Sequence, residues 1–312
     1  MDAPSGIDHP PSMVGTATSP LIASAEDGRT IELHWTRHDP PGGGDPERLL
    51  LINGLGSPLV SFDEGFVAEL VDRGFSVVRF DNRDAGRSGR VFEDRNAHGY
   101  HFDRPPYTLI EMARDVVAVL DAVGWDAAHL LGQSMGGMIA QQVAISHPDR
   151  ARSLTSFMSS TGNPDHGRAT DEAHAALIRP APRDREAWIA YTVETARLWA
   201  TPDSWDPEAV RRRAARKFDY GIDVFGTGRQ FRAILASGDR DDELSRLTVP
   251  TLVIHGSADT LIQPDGGRHT AALIPGARYV ELEGLGHDLP PSRWALLADT
   301  VTSFVADLNR SV

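Results

Sequence analysis

Residues 129–142, HLLGQSMGGMIAQQ, place one serine between two glycines directly after a short apolar run. A serine hydroxyl is a weak nucleophile at neutral pH, and it needs an adjacent base that a carboxylate orients. In a Gly-x-Ser-x-Gly pattern the serine backbone is held in a strained strand-to-helix turn, so its neighbours must be small. Gly132 and Gly136 provide that room. We therefore predict that Ser134 is a nucleophile; the alternative is a small residue in a structural glycine turn.

An acid and a base are predicted downstream, each after a strand-like apolar run. Asp259 follows Leu252–Ile254, and His287 lies among glycines in a loop that follows a later run. Ligands of open α/β sheets gather at the carboxyl ends of the strands. The order serine, acid, histidine is the one expected when such a turn carries the nucleophile. We predict that Asp259 orients His287 and that His287 is the base.

These two assignments have rivals. Taken alone, Asp259 is also consistent with a loop aspartate that caps the next turn. A lone histidine in a loop is more often a surface residue. Asp288 is a rival acid, but consecutive side chains usually point in different directions. His255 is a rival base, but it lies within or just after a strand and precedes the predicted acid.

A negatively charged reaction intermediate would need two backbone N–H donors. One is predicted at Met135, directly after the nucleophile. The other is predicted at Leu55 in the loop NGLGSP, with Gly56 as the alternative. Because only backbone groups donate, the two side chains should matter for shape and not for charge.

The residues that shape a substrate pocket are harder to predict. Gln133 either lines the site or fills the variable position of the turn. Aromatic side chains in a helix-like segment are candidate pocket walls: Trp188, Trp199 and Phe225.

Two charged stretches receive structural interpretations. In RFDNRDAGRSGR, residues 79–90, Arg83 or Arg87 would be a substrate clamp, but we favour ion pairs that fix a loop beside the site. The basic run at 211–217, RRRAARK, is interpreted as a solvated helix face.

The elements that must position these residues follow a β-α-β-α-β order. Apolar runs alternate with amphipathic stretches, which predicts a mostly parallel sheet with helices on both faces. The predicted strands are Leu49–Ile52, Val77–Phe80, His129–Leu131, Ser153–Met158, Thr251–His255 and Arg278–Leu282. Helices are predicted near Phe62–Asp72, over Tyr107–Val123, from the serine turn to about Ser146, and from Trp294 to about Leu308.

Between residues 163 and 246 the alternation of strand-like and helix-like stretches is replaced by helix-like segments alone. They are predicted to be either a plain insertion or a helical cap over the sheet's carboxyl edge. The predicted core is therefore 21–162 with 247–312, and 163–246 forms the cap. Residues 1–20, rich in Pro, Ser and Gly, are expected to be a flexible tail, and Leu21–His34 a hairpin with its turn at 26–28.

Composition excludes several classes of function. The chain has 312 residues, a net charge of −13 and no cysteine. Nucleic acid is a poor partner for so acidic a chain, and thiolate chemistry is excluded. No apolar run reaches the about 18 residues of a membrane span, and the beginning of the sequence does not resemble a signal peptide, so we expect a cytoplasmic protein. His34 and His38 lack the glutamate of a zinc-binding helix, and no dinucleotide-binding glycine motif follows the first strand. We expect no metal and no cofactor.

The motifs together resemble the α/β-hydrolase superfamily. NGLG, FDNRDAGRS, GQSMGG, PTLVIHGSADTLI and GLGHDLP occur in its order and at its usual separations, over about residues 21–308. The chain looks most like the aclacinomycin methylesterase-type hydrolases, mainly at Asp81–Ser88 and Leu285–Pro290. The resemblance implies eight mostly parallel strands, a helical cap, no cofactor and ester cleavage through an acyl-enzyme. It supports the three catalytic assignments and both backbone donors. Asn53 stands where many relatives carry histidine.

The sequence thus predicts a serine esterase that acts on a small to medium, fairly apolar ester. Lactone opening, carbon–carbon bond hydrolysis and peracid formation would use the same residues. An epoxide hydrolase or dehalogenase would carry aspartate in place of Ser134. The alternative of a different class is a non-catalytic ligand-binding protein that keeps the pocket, although such a protein would not need all three catalytic residues.

Overall fold

Eight strands form a single sheet in the computed structural model, which describes residues 11–20, 30–91 and 105–310. The strands are β1 Met13–Pro20, β2 Thr30–His38, β3 Glu47–Ile52, β4 Phe75–Phe80, β5 Ala128–Gln133, β6 Ala151–Phe157, β7 Thr251–Gly256 and β8 Arg278–Leu282. Their spatial order is β1-β2-β4-β3-β5-β6-β7-β8. The β1–β2 and β2–β4 pairs are antiparallel, and all other pairs are parallel. The predicted mostly parallel sheet is confirmed.

Ten α-helices accompany these strands in the described residues. Those predicted near 62–72, over 107–123, after the serine turn and from 294 lie close to their predicted positions, whereas the helix at 264–273 was not predicted. In chain order the ten are α1 Glu64–Asp72, α2 Leu109–Ala122, α3 Met135–Ser146, α4 Asp171–Ile178, α5 Arg185–Ala196, α6 Pro207–Gly221, α7 Val224–Ser237, α8 Asp241–Leu244, α9 Pro264–Leu273 and α10 Trp294–Arg310. Helix α2 begins where Thr108 and Glu111 form a reciprocal capping box, which satisfies N–H groups that have no partner within the helix. No helix in these ranges is long and apolar enough to cross a membrane.

The central strands are buried on both faces, because helices cover each side. Successive side chains of a strand point to opposite faces. Accordingly Leu49 and Leu51 pack with apolar residues of α1 and α10, whereas Leu50 and Ile52 pack with those of α2 and α3. This double burial explains the continuous apolar run in β3, which is typical of parallel sheets. The sheet is therefore a rigid base for loops at its carboxyl edge.

The expected tail is wrong for residues 13–20. They form β1, which pairs with β2 from Met13↔Arg37 to Pro20↔Thr30 and buries Ala17 and Ser19. A composition rich in small and polar residues suggested a tail, but pairing with a neighbouring strand overrides so weak a signal. Residues 1–10 and the predicted turn at 26–28 lie outside the described residues.

Five helices, α4–α8, lie between β6 and β7 along the chain. We keep the name cap for the predicted range 163–246, which contains them. Since β6 and β7 pair in parallel, the chain leaves the sheet after β6 and re-enters it at the start of its neighbour. The cap therefore begins at the carboxyl edge of the sheet, where the predicted catalytic residues lie.

Candidate active site

Ser134 occupies a strained turn between β5 and α3. Its φ is 56° and its ψ is −121°, a conformation that L-residues rarely adopt. The neighbouring glycines are required sterically, because a Cβ at Gly136 would collide with the carbonyl oxygen of Ile52 and one at Gly132 with the carbonyl of Gly136. The strained turn thus has the strand–serine–helix context that the motif predicts.

His287 and Asp259 are brought together by the loops that follow β8 and β7. His287 Nδ1 lies 2.7 Å from Asp259 Oδ2. The other carboxylate oxygen accepts N–H groups of Leu261 and Ile262, each at 2.9 Å. Burial alone would raise the pKa of Asp259, but the adjacent His287 and His255 rings outweigh it and hold that pKa well below its usual range. Asp259 is therefore an ionised, fixed acceptor that orients the imidazole.

Among the described residues no hydrogen bond joins Ser134 Oγ to His287, and both side chains line one cavity. Catalytic hydrogen bonds are often long before substrate binds and shorten only in the reacting complex. The arrangement thus pairs His287 with the Asp259 carboxylate beside a cavity that Ser134 also lines.

The two rival residues have other roles in the structure. His255 is fully buried and does not line the cavity; its Nε2 lies 2.8 Å from the carbonyl oxygen of Ile262 and 3.4 Å from Asp259 Oδ2. Asp288 accepts hydrogen bonds from the backbone N–H and hydroxyl of Thr201, at 2.9 and 2.6 Å. Asp288 therefore fastens the cap to the loop that carries His287, and it is not the partner of the imidazole.

The contrast between the two acids is testable by substitution. We expect Asp259→Ala to lower kcat for a short aryl ester by about 10⁴-fold, because the imidazole loses its orienting anion. Asp288→Ala should lower kcat by only about tenfold, while its free energy of unfolding falls by about 1–3 kcal/mol because buried Thr201 groups lose their acceptor. Steady-state rates and urea denaturation of both variants test this. Equal losses of kcat would make the choice of Asp259 over Asp288 wrong.

The predicted oxyanion donors belong to the start of α3 and to the loop that follows β3. The N–H of Met135 is the first of helix α3, and such groups lack acceptors within the helix. Gly54 is adjacent, since a Cβ placed on it would lie 3.3 Å from Ser134 Cβ, which brings the following residue, Leu55, beside the site. The alternative donor, Gly56, is engaged elsewhere: its N–H donates to Gln230 Oε1 of the cap at 2.7 Å. This contact favours Leu55 over Gly56 as the donor from this loop.

The cavity beside Ser134 has a volume of about 560 Å³ and lies between the sheet edge and the cap. Three of the predicted pocket residues line it: Gln133, Trp188 and Trp199. The fourth, Phe225, does not; its ring lies against the guanidinium of Arg183, 5.0 Å away. Helix α7 instead presents Val224, Thr227, Gly228 and Phe231, which recur at helical spacing and exclude position 225 from that face.

The stretch 79–90 forms ion pairs, in agreement with the favoured interpretation. Arg83 and Asp115 are both buried and make two contacts of 2.7 Å. Asp84 pairs with Arg229 of the cap. Arg87 is exposed at the surface, with its guanidinium over the ring of Tyr220. The stretch therefore fixes a loop between core and cap.

The basic run at 211–217 is not wholly a solvated face. Arg213 and Lys217 line the cavity together with Val210 and Ala214, whereas Arg211 and Arg212 are exposed. The signal that would have found this face is the spacing of three, four and seven residues, which places these four side chains on one side of α6. Gln230, which holds Gly56, has no comparable local signal. In the described ranges no group of three or more acidic or histidine side chains could hold a metal ion.

Comparisons with known proteins identify the family of the chain. Residues 47–291 match the family described as alpha/beta hydrolase fold. The chain is 34% identical over 281 residues to rhodomycin D methylesterase DnrP from Streptomyces peucetius, covering 80% of this chain and 88% of the relative. It is 33% identical over 279 residues to rhodomycin D methylesterase DauP from Streptomyces sp. (strain C5), with the same coverage. Among solved structures, an enol-lactonase from Burkholderia xenovorans LB400 is 25% identical with a TM-score of 0.65, covering 88% of this chain and 97% of that one.

Proposed function

The chain belongs to the alpha/beta hydrolase fold family, and from that premise we propose that it is a serine esterase in which Ser134, His287 and Asp259 form the catalytic triad. It is a hydrolase that acts on esters, as are its methylesterase relatives. The substrate is a small molecule. The apolar walls of the cavity and its volume of about 560 Å³ favour a fairly apolar ester of small to medium size.

The acylation step uses the three side chains in separate roles. His287 takes the hydroxyl proton as Ser134 Oγ attacks the ester carbonyl carbon, and the carbonyl oxygen becomes negatively charged. Asp259, ionised and 2.7 Å from His287 Nδ1, stabilises the resulting imidazolium. When the intermediate collapses, the bond to the leaving alcohol breaks and His287 returns the proton to that alcohol.

The negative charge on the carbonyl oxygen is stabilised by the N–H groups of Leu55 and Met135. Backbone donors suit this task because they are fixed before the reaction and need no reorganisation when charge develops. Water then attacks the acyl-enzyme with His287 again as base, which releases the acid and restores the Ser134 hydroxyl. No cofactor is needed for either half of this cycle.

One observation carries the proposal: a serine on a strained turn shares a cavity with an imidazole that is hydrogen bonded to a buried, ionised carboxylate. A fluorophosphonate probe tests it, because such probes phosphonylate only an activated serine. We expect the wild-type protein to be labelled stoichiometrically at Ser134 and Ser134→Ala not to be labelled. Ser146→Ala, an exposed serine at the other end of the same helix, is the matched control and should label like wild type. Absence of labelling in wild type, or labelling of Ser134→Ala, would contradict the proposal.

Lactone opening is a second candidate, favoured by the 25% identity to an enol-lactonase. A lactone is a cyclic ester, so the same attack on the carbonyl would open the ring and keep the alcohol attached to the product. Rates for matched linear and cyclic esters would rank the two activities. A cytoplasmic location and the division into core and cap at residues 163 and 246 remain predictions.

A further inference from the structure

The cavity contains the single lysine of the sequence. Of the 31 lysine and arginine residues, only Lys217 is a lysine. It lies on the cavity face of α6 one turn after Arg213, and both side chains line the space that Ser134 and His287 line. Two cations thus face the interior of an otherwise mostly apolar pocket.

Asp63 lies near Lys217 and Asp206 lies near Arg213, but neither acid forms an ion pair with that cation in the described part of the chain. Within the described ranges no hydrogen bond or ion pair is formed by the Lys217 ammonium or the Arg213 guanidinium. The two acids that line the cavity are both engaged. Asp63 caps α1 through the N–H of Gly65 at 3.2 Å and pairs with Arg216 at 3.1 Å, and Asp288 accepts both hydrogen bonds of Thr201. The protein therefore leaves two positive charges available in its pocket.

This arrangement is electrostatically unfavourable in the empty protein. Like charges four residues apart on a helix repel each other. Burial, together with Arg213 and Arg216, lowers the pKa of Lys217 to about 8, against a smaller opposing effect of Asp63. A lysine at the protein surface would avoid both costs. An anionic group that enters the cavity would reduce this repulsion and raise the pKa of Lys217 towards its ordinary value.

We propose that Lys217 and Arg213 bind a second, anionic oxygen group of the substrate, a carboxylate or an ionised phenol, while Ser134 attacks the ester. This inference rests on the proposed esterase function and names its substrate class: esters whose acyl part is apolar in the middle and anionic at the far end. The apolar middle would lie against Val210, Ala214 and the tryptophan walls, which share the cavity with the two cations. Lys217 is then a specificity residue that contacts substrate.

Matched methyl esters test the proposal directly. The charged series consists of mono-methyl esters of medium-chain dicarboxylic acids, and the neutral series of methyl esters of monocarboxylic acids of equal length. We expect the ratio of kcat/KM, charged over neutral, to be at least about tenfold at the best chain length, because hydrogen bonds to charged groups are the strong ones. Methyl esters of hydroxyaryl acids provide the phenol arm, with the methoxyaryl esters of the same acids as the neutral comparison.

Variants of helix α6 assign that preference. In Lys217→Met the charged-to-neutral ratio should fall about tenfold, and in Lys217→Arg it should recover in large part, because the charge returns. Arg212→Met is the matched control, since it removes a cation from the exposed face of the same helix and should leave the ratio at the wild-type value. Thermal melting of each variant shows that the fold is retained.

The unique lysine also allows a measurement that requires no turnover. Reductive methylation with ¹³C-formaldehyde labels Lys217 and the α-amino group, and the Lys217→Arg spectrum assigns the two signals. Addition of a medium-chain dicarboxylate should raise the pKa of the labelled Lys217 by about one unit, because an opposite charge favours the protonated form. A matched diol should not change it.

The outcomes separate this inference from the proposed function. If Ser134 is labelled and neutral esters are hydrolysed, but the charged series is not preferred and dicarboxylate leaves the Lys217 signal unchanged, the anion site is overturned and the esterase stands. If wild type is not labelled and hydrolyses neither series, the esterase proposal fails, and the titration of Lys217 still decides whether the cavity binds anions.

Discussion

Replacing His287 with alanine should lower kcat for a short aryl ester by about 10⁴- to 10⁶-fold, the largest effect that we expect for any single substitution. Without the imidazole the Ser134 hydroxyl has no acceptor for its proton, and the leaving alcohol has no donor. The backbone donors at Leu55 and Met135 would remain, so a small rate above the uncatalysed reaction should persist. Initial rates of chromogenic ester hydrolysis, with active-site concentration taken from fluorophosphonate labelling of wild type, measure the loss.

The matched control for this substitution is His174→Ala. His174 is exposed on α4, so its removal should leave kcat at the wild-type value. A far-ultraviolet circular dichroism spectrum equal to that of wild type would show that His287→Ala is folded. Substantial turnover by the folded variant would show that His287 is not the base, and His255 would then be the next candidate.

Removal of Arg229 should produce the largest loss of stability. Its guanidinium, from cap helix α7, makes two contacts with buried Asp84, at 2.8 and 2.6 Å. In Arg229→Met the Asp84 carboxylate would keep, among the hydrogen bonds of the described residues, those from the Tyr107 hydroxyl and the Val91 N–H. Breaking a buried pair on one side leaves an uncompensated charge, so the free energy of unfolding should fall by about 3–5 kcal/mol. Urea denaturation measures it.

The double variant Asp84→Asn with Arg229→Met distinguishes a stranded charge from lost packing. Asparagine is neutral and tolerates the positive φ of 67° at position 84. We expect the double variant to be more stable than Arg229→Met alone, because no unpaired carboxylate remains buried. If the double variant is less stable than the single one by the full cost of Asp84→Asn, the charge of Asp84 is not the cause of the loss.

The chemistry at the sheet edge was predictable because its signals are local. Ser134, Asp259 and His287 each follow a strand, and parallel strands bring their carboxyl ends to one edge. Small residues around Ser134 could be interpreted from sequence because steric room is a property of immediate neighbours. The sequence predicts Leu55 as the loop donor, with Gly56 as the alternative. The contact that engages Gly56 comes from Gln230, 174 residues away, and has no local signal in the sequence.

The residues that shape the cavity were less predictable, because a helix-like segment does not reveal which face it buries. Trp188 and Trp199 line the cavity, but on α7 the wall is Phe231 and not Phe225. The basic run at 211–217 is mixed for the same reason: alternate faces of α6 meet solvent and pocket. Strand β1 escaped detection because its partner, β2, supplies the pairing that its own composition does not favour.

The cap forms hydrogen bonds to the loop that carries His287 and to the loop that carries Leu55 and Gly56. These contacts limit how freely the cap can be exchanged with that of a relative. Its Trp199 carbonyl accepts the His287 N–H at 2.5 Å, and its Gln230 side chain accepts the Gly56 N–H. Gly286 has no space for a side chain, because a Cβ there would collide with the Trp199 carbonyl oxygen. A chimera that carries the cap of a relative would need to keep both hydrogen bonds, from His287 to Trp199 and from Gly56 to Gln230, for the core to remain active. Substrate specificity is therefore better changed by substituting single side chains of the cap than by exchanging the whole cap.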